Sequence, residues 1–354
     1  MTIKVGIIGC GRIAQKHVNT INKLKGVKIT ALSDISVESM DNLLLRIQSS
    51  SEQKIATYSY YKSLLHDSNV DLVIISTISS LHAEMTKEAL LAKKHVLVEK
   101  PLALTLDQSR NLHQLANQCG KKLFVCYQLR YIKTILMIKE MLNQGLFGEL
   151  YYGAITIEIN RSEHYYKEAN WRGKWDLDGG MLINQGIHLV DLLVWFLGDV
   201  VDVDGCLIKK NDSKETEDAA MGIFTFKSGA KGILHANTIT LPTNIGYSIR
   251  LFGEKGTVAL KGTKLQEIER FEVEGVTLTQ EELETWIEDQ NEHTRMYEAV
   301  IDSIQGNEQP YVVNGKESER ALEAIFALYQ SAIDKNKTYL PLSTFETSWM
   351  KGKI

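Results

Sequence analysis

Residues 3–14 read IKVGIIGCGRIA, and the fold of the N-terminal part follows from them. Ile3 to Ile8 is a short apolar run rich in β-branched residues and bounded by glycine, which predicts a buried strand. Gly9-Cys10-Gly11-Arg12-Ile13-Ala14 is a G-x-G-x-x-A sequence, and Ala14, Val18, Ile21 and Leu24 then share one helical face. In such a strand–turn–helix unit the first glycine allows the tight turn. The second lets backbone approach a pyrophosphate, and the small Ala14 lets helix pack on strand. A pyrophosphate at Gly9, Gly11, Arg12 and Ile13 would meet free N–H groups and the positive end of the helix dipole. The second strand, Lys28 to Leu32, ends in Ser33-Asp34. Asp34 stands 20 residues beyond Ala14 (34 − 14), where an acid binds the adenosine ribose hydroxyls. Its charge repels a 2′-phosphate and no arginine follows at Ile35 or Ser36, so NAD is expected over NADP.

Strand and helix go on alternating. Val70 to Ser76, Val96 to Val98 and Leu123 to Cys126 read as buried strands, with Ser79 to Ala92 and Leu106 to Gln118 as helices. This predicts an α/β fold, with a doubly wound parallel sheet over residues 1–126 and sites at the carboxyl ends of its strands. Those ends carry Gly9 to Ile13, Asp34, Thr77 to His82, Glu99-Lys100 and Gln128 to Arg130. Thr77, His82, Glu99, Lys100 and Gln128 therefore join the candidate cofactor-binding residues. Pro101 fixes the chain after Lys100 and presents that lysine at the sheet edge. An ammonium there can hydrogen-bond a substrate hydroxyl or polarise a carbonyl.

Over residues 127–354 the pattern changes to strands first and helices later, an α+β domain with one large open, mostly antiparallel sheet. Tyr151 to Asn160 alternates, with Ile155, Ile157 and Ile159 on one face. Strands are predicted at Val201 to Lys209, Ala220 to Phe226, Ala230 to Thr238, Tyr247 to Phe252 and Thr257 to Leu260. Helices are predicted at Ile135 to Asn143, Gln280 to Gln305 and Lys316 to Lys335. Residues 179–191, GGMLINQGIHLVD, open a further helix that runs to Leu197. Asn184 and His188 are four apart, one turn above each other, among Leu182, Ile183, Ile187, Leu189 and Val190. A polar pair in such surroundings is hydrogen-bonded or costs free energy. A core histidine capped by an amide and a functional site both meet that condition.

Before this helix lies an aromatic and basic stretch, RSEHYYKEANWRGKWDLD at 161–178. Aromatic rings suit the apolar faces of sugars and of nicotinamide, and arginines suit phosphate or carboxylate. Trp171 and Arg172 are candidate cofactor contacts; Arg161 and Tyr165 are candidate substrate contacts. The alternative is a loop packed by its own aromatics.

The chain has 354 residues, enough for about two domains, and is 44% hydrophobic and 24% charged, as a globular protein with a real core is. A net charge of −4 provides no basic field for nucleic acid or an anionic membrane. Cys10, Cys119, Cys126 and Cys206 have no metal-binding spacing, so no metal is expected and the thiols read as reduced, in a cytoplasmic protein. No apolar run approaches a membrane span of about 18 residues, and a strand starts too near the N-terminus to leave room for a signal peptide.

Taken together, VGIIGCGRIA at 5–14, the 77–82 segment, HVLVEKPLA at 95–103, Arg130, GGMLINQGIHLVDLL at 179–193 and FGEKGTVAL at 252–260 resemble the Gfo/Idh/MocA oxidoreductase family. The resemblance runs through essentially the whole chain, in order. It implies Lys100 and His188 as a catalytic pair, with residue 184 in the active site and Lys100, Asn184 and His188 also meeting substrate. It implies an NAD-dependent dehydrogenase acting on a secondary hydroxyl of a sugar, cyclitol or nucleotide sugar. It also implies that the free face of the large sheet forms a homodimer or homotetramer. Trp171-Arg172-Gly173 before the double glycine resembles the family's sugar and nucleotide-sugar dehydrogenases, some of which oxidise UDP-N-acetylglucosaminuronate. Ile78 and Lys133 stand where proline is common in the family. Asn184 stands where many members have aspartate, so an Asp–His dyad is not carried over. Two rival readings remain at this point: an NADPH-dependent ketose or aldehyde reductase, and a non-catalytic sugar or NAD sensor.

Overall fold

A computed structural model of the protein describes residues 2–48, 54–307 and 309–354. The chain divides into two units, the first made of Met1–Ala103, Asp107–Gln128 and Asn291–Ser318, and the second of Leu104–Leu106, Leu129–Gln290 and Glu319–Ile354.

In the first unit, strands β1 (Ile3–Ile8), β2 (Val27–Ser33), β3 (Ala56–Tyr58), β4 (Leu72–Ile75), β5 (His95–Val98) and β6 (Leu123–Val125) pair in parallel. Their order is β3-β2-β1-β4-β5-β6, the doubly wound arrangement. β4 is fully buried along its length, as a strand covered on both faces must be. The order reverses between β1 and β4, and Gly9 leaves the sheet at that switch point, where such folds bind ligands. The helix Arg12–Ile21 follows directly, burying Ala14, His17, Val18 and Ile21.

The helix predicted over 280–305 is two helices, Gln280–Glu288 and Glu292–Ile304. Asp289 adopts extended backbone between them. Asp289 and Asn291 are poor helix-interior residues because their side chains compete for backbone hydrogen bonds. The break falls where the chain passes from the second unit to the first. Glu292–Ile304 packs on Arg12–Ile21, and Val125 then donates its N–H to the Val313 carbonyl at 2.9 Å.

The second unit is built on an eight-stranded sheet of β7 (Leu150–Glu158), β8 (Val200–Ile208), β9 (Ala219–Phe226), β10 (Lys231–Asn237), β11 (Gly246–Gly253), β12 (Gly256–Gly262), β13 (Glu267–Val273) and β14 (Thr338–Tyr339). The order is β13-β12-β11-β7-β10-β9-β8-β14, antiparallel except for the β7–β10 pair. Ile155, Ile157 and Ile159 are all buried, as their alternation predicts. The helix Ile187–Leu197 packs on this face and is apolar nearly all round, so it is buried nearly all round. Gly153 lets it come close: a Cβ there would lie 3.0 Å from a methyl of Leu197 and 3.1 Å from one of Leu193. On the opposite face Tyr152, Met221, Ile223 and Ile233 are exposed. Among the described residues no helix is long and apolar enough to cross a membrane.

Candidate active site

The first unit contributes a dinucleotide cradle. Gly9 has φ +92°, and a Cβ on it would lie 2.7 Å from the Ser76 carbonyl oxygen, so only glycine fits there. At Gly11 a Cβ would meet nothing within 4 Å, which leaves the backbone open to a ligand. Gly11 caps the helix Arg12–Ile21 without a side-chain hydrogen bond, so the first N–H groups of that helix suit an anion. Asp34 accepts N–H bonds from Cys10 at 2.6 Å and Ser36 at 2.8 Å, which fixes its carboxylate beside the loop. Burial, and then the charge of Asp34, push the Cys10 thiol up to about 12. Gln128 has a buried Oε1 with no hydrogen-bond partner among the described residues, an acceptor that a ligand donor would satisfy. Open backbone, a fixed acid and an unsatisfied acceptor fit NAD.

Three expected residues of this unit are tied into its scaffold. Thr77 donates its hydroxyl to the Met85 sulfur at 3.6 Å. His82 is buried, with Nδ1 2.7 Å from the Pro101 carbonyl and Nε2 3.1 Å from that of Thr77, so it clasps the loops after β4 and β5. Burial lowers its pKa, and a neutral ring donates one N–H to one of these two carbonyls. Glu99 is buried, and its Oε2 accepts the Lys100 backbone N–H at 3.3 Å. Lys100 precedes Pro101 through a cis peptide and is half-buried.

Behind Glu99 lies a buried network. His17 Nε2 is 3.1 Å from Glu99 Oε1, an ion-pair distance with poor hydrogen-bond alignment. His17 Nδ1 meets the Tyr297 hydroxyl at 2.8 Å. The donor atoms of His17, Glu99 and Cys126 lie within 4.8 Å of one another. No metal was expected from the cysteine spacing; this group gathers a thiol with residues from other elements, and His17 already engages Glu99 and Tyr297. Burial first, then Glu99, raises the Cys126 thiol well above its ordinary value, so it stays protonated. His17 carried a signal in the sequence, because it falls on the apolar face of its helix with Ala14 and Val18. Tyr297 carried none, being 280 residues away.

In the second unit the segment carrying Asn184 is not a regular α-helix. Leu182–Gly186 is a π-helix, and the α-helix begins at Ile187. Asn184 and His188 thus straddle a change of winding, a feature common at functional sites. Both are half-buried. Gly180 has φ +102°, and a Cβ there would lie 2.6 Å from the Trp175 ring, so the turn into the helix admits no side chain. Glu217 accepts the Leu182 N–H at 3.0 Å and the Tyr329 hydroxyl at 2.6 Å beneath this turn, and burial raises its pKa. Farther along, Arg130 grips Asp191 bidentately, at 2.8 and 2.7 Å, with both side chains buried. Arg130 also lies over the Trp195 ring at 4.8 Å. Arg130 therefore anchors the helix.

The aromatic stretch is organised around Tyr165. Arg172 stacks on its ring at 4.1 Å and Arg161 lies over it at 5.2 Å. Gln185, next to Asn184, donates to the Tyr165 hydroxyl at 3.3 Å. Arg172 also donates to the Tyr165 carbonyl and to Glu168, each at 2.8 Å, and lies over Trp171 at 5.6 Å. The Nε atoms of both arginines are buried without a hydrogen-bond partner among the described residues. Arg161, Tyr165, Trp171 and Arg172 are thus brought together beside the helix that carries Asn184. Asp178, which the sequence did not single out, is also here: it accepts the Asn184 amide and the Gly173 N–H. An acid just before a double glycine was its only signal.

Residues 3–127 match the model of the oxidoreductase family with an NAD-binding Rossmann fold, and residues 135–259 match the Gfo/Idh/MocA C-terminal domain. The WlbA dehydrogenase from Chromobacterium violaceum, solved with NADH and UDP-GlcNAcA, superposes with a TM-score of 0.89 at 30% identity over 97% of each chain. The WlbA dehydrogenase from Bordetella pertussis, with the same two ligands, has a TM-score of 0.90 at 28% identity over 97% of this chain and 99% of that one. The uncharacterised oxidoreductase YrbE of Bacillus subtilis is 28% identical over 75% of this chain and 76% of its own. A glycosyl hydrolase family 109 protein of Shewanella pealeana is 33% identical over 49% of this chain, and the match spans 40% of that protein. The cradle fits NAD, both domain models match in order, and a dehydrogenase solved with NADH shares the fold along nearly the whole chain. The protein belongs to the Gfo/Idh/MocA family and is an NAD-dependent oxidoreductase.

Proposed function

We propose that this enzyme oxidises a secondary ring hydroxyl of an anionic nucleotide sugar, with UDP-N-acetylglucosaminuronate as the leading substrate. The observation that carries this reading is the pair of guanidiniums on Tyr165, from Arg161 and Arg172, next to the helix of Asn184 and His188. Two arginines on one aromatic ring suit a sugar that bears a carboxylate or diphosphate. The likeness to dehydrogenases solved with UDP-GlcNAcA supports the same class.

Asp34 would hold the adenosine ribose diol of NAD, the Gly9–Ile13 backbone its pyrophosphate, and Glu99, Lys100 and Gln128 its nicotinamide end. When bound, NAD supplies the hydride acceptor. His188 takes the hydroxyl proton as general base, and Lys100 stabilises the charge that develops on the same oxygen. The carbinol carbon loses a hydride, its oxygen loses a proton to His188, and a ketone results.

The test is NADH formation by the full chain with UDP-N-acetylglucosaminuronate, UDP-N-acetylglucosamine, free N-acetylglucosaminuronate and myo-inositol. The highest kcat/KM should fall on the uronate nucleotide. A higher value with inositol or another uncharged sugar would overturn the proposal. Dependence on NADPH with a ketose would favour a reductase instead.

A further inference from the structure

We infer that Asp178 is a positioning residue for this reaction, acting through Asn184; the inference rests on the reading that Asn184 and His188 serve the reacting hydroxyl. Asp178 is 2% exposed and immediately precedes the Gly179-Gly180 turn. Its Oδ2 accepts the Gly173 N–H at 2.7 Å, and its Oδ1 accepts the side-chain amide of Asn184. One carboxylate therefore ties together the aromatic stretch and the π-turn that carries Asn184.

A carboxylate can only accept, so Asn184 must present its NH₂ group to Asp178. The amide carbonyl then faces the other way. This removes the freedom of the amide to flip, so Asp178 fixes which end of Asn184 is the acceptor. A hydroxyl donor is the chemical match for that acceptor.

The same bond explains why an amide suits position 184 in this chain. An aspartate there would meet Asp178 head-on, and two carboxylates in contact cannot both ionise. The pair would share a proton, and its titration would belong to both residues. The ionisable groups around it are Tyr165 and Tyr329, whose phenols burial raises first and nearby carboxylates after it, and Glu217, which accepts from Tyr329. Arg172, stacked on Tyr165, is the cation of the same stretch. As built, the pair holds one carboxylate and one amide, and the carboxylate is set back at position 178.

The experiment compares Asn184→Asp, Asp178→Asn and the exchanged double variant in the full chain. It measures kcat, the NADH dissociation constant, and Tm against pH. Asn184→Asp should lower kcat about tenfold or more while NADH affinity holds. Its Tm should fall relative to the parent as pH rises from about 5 to about 8. A carboxyl whose folded pKa is raised binds an extra proton when folded, and that stabilisation is lost on deprotonation. Asp178→Asn should also lower kcat, because an amide at 178 no longer dictates the orientation of Asn184. The double variant restores one carboxylate and one amide. It should recover kcat to within about threefold of the parent and flatten the Tm profile. Losses in the double variant that equal the product of the single losses would overturn the positioning role. So would an Asn184→Asp variant whose Tm tracks the parent at every pH. The Tm measurement uses no substrate, so a wrong substrate would show as an inactive parent with this Tm pattern intact.

Discussion

Asp34 accepts the Cys10 backbone N–H at 2.6 Å, which ties the acid after β2 to the glycine loop after β1. The carboxylate is fixed before any cofactor arrives. It can take both hydroxyls of an adenosine ribose but meets a 2′-phosphate as a like charge. NADH should therefore bind more tightly than NADPH. Hydrogen bonds to a charged group are worth about 1.5–3 kcal/mol, so Asp34→Ala should weaken NADH by about 10- to 100-fold and narrow the gap between the two cofactors. Fluorescence titration of both cofactors checks this, and equal dissociation constants in the parent would remove the role given to Asp34.

The Arg130–Asp191 pair lies three residues beyond His188 and is buried on both sides. Removing one partner leaves the other charge uncompensated in the core, at a cost of about 3–5 kcal/mol. Asp191→Ala should therefore lower stability by about that amount in urea unfolding of the full chain. Replacing both residues with apolar ones should cost less than Asp191→Ala alone. Equal losses would mean that the stranded guanidinium is not the source of the damage.

His293 is buried, and neither ring nitrogen has a hydrogen-bond partner among the described residues. Burial first, then the charges of Lys16 and His17, lower its pKa to about 3. The ordinary histidine value is about 6.5, so the unfolded chain takes up a proton at a pH where the folded chain does not. The stabilisation is complete above about 6.5 and is lost as pH falls toward 3. His293→Leu removes this sensitivity. Its Tm should gain on the parent between pH 7 and about pH 5, and a constant difference across that range would count against a buried neutral ring.

Local pattern made the first unit readable. The strand, the glycine turn, the helix face and Asp34 lie within a short stretch, and each rests on backbone geometry that few residue types satisfy. The alternation of Ile155, Ile157 and Ile159 was equally legible. The break at Asp289 to Asn291 escapes the sequence because the polar run 288–295 reads as the solvent face of one helix as readily as a break, while the chain there changes unit. The π-turn at Leu182–Gly186 escapes the sequence because five residues are too few to distinguish its period from that of an α-helix. The His17–Glu99–Tyr297 network depends on a helix 280 residues along the chain returning to the first unit. Asp178 shows a third limit. Its role depends on the direction in which the double-glycine turn sends the chain, and the composition of the turn does not reveal that direction.

His188 stands where the π-turn gives way to α-helix and is the general base of the proposed reaction. The measurement that tests that role most directly sets turnover of His188→Ala beside its NAD dissociation constant, with the best substrate of the parent. General acid–base groups contribute about 10²–10⁴-fold, so turnover should fall by that factor while NAD affinity stays within about twofold. Near-parental turnover would contradict the assignment and leave Lys100 as the better candidate for the base.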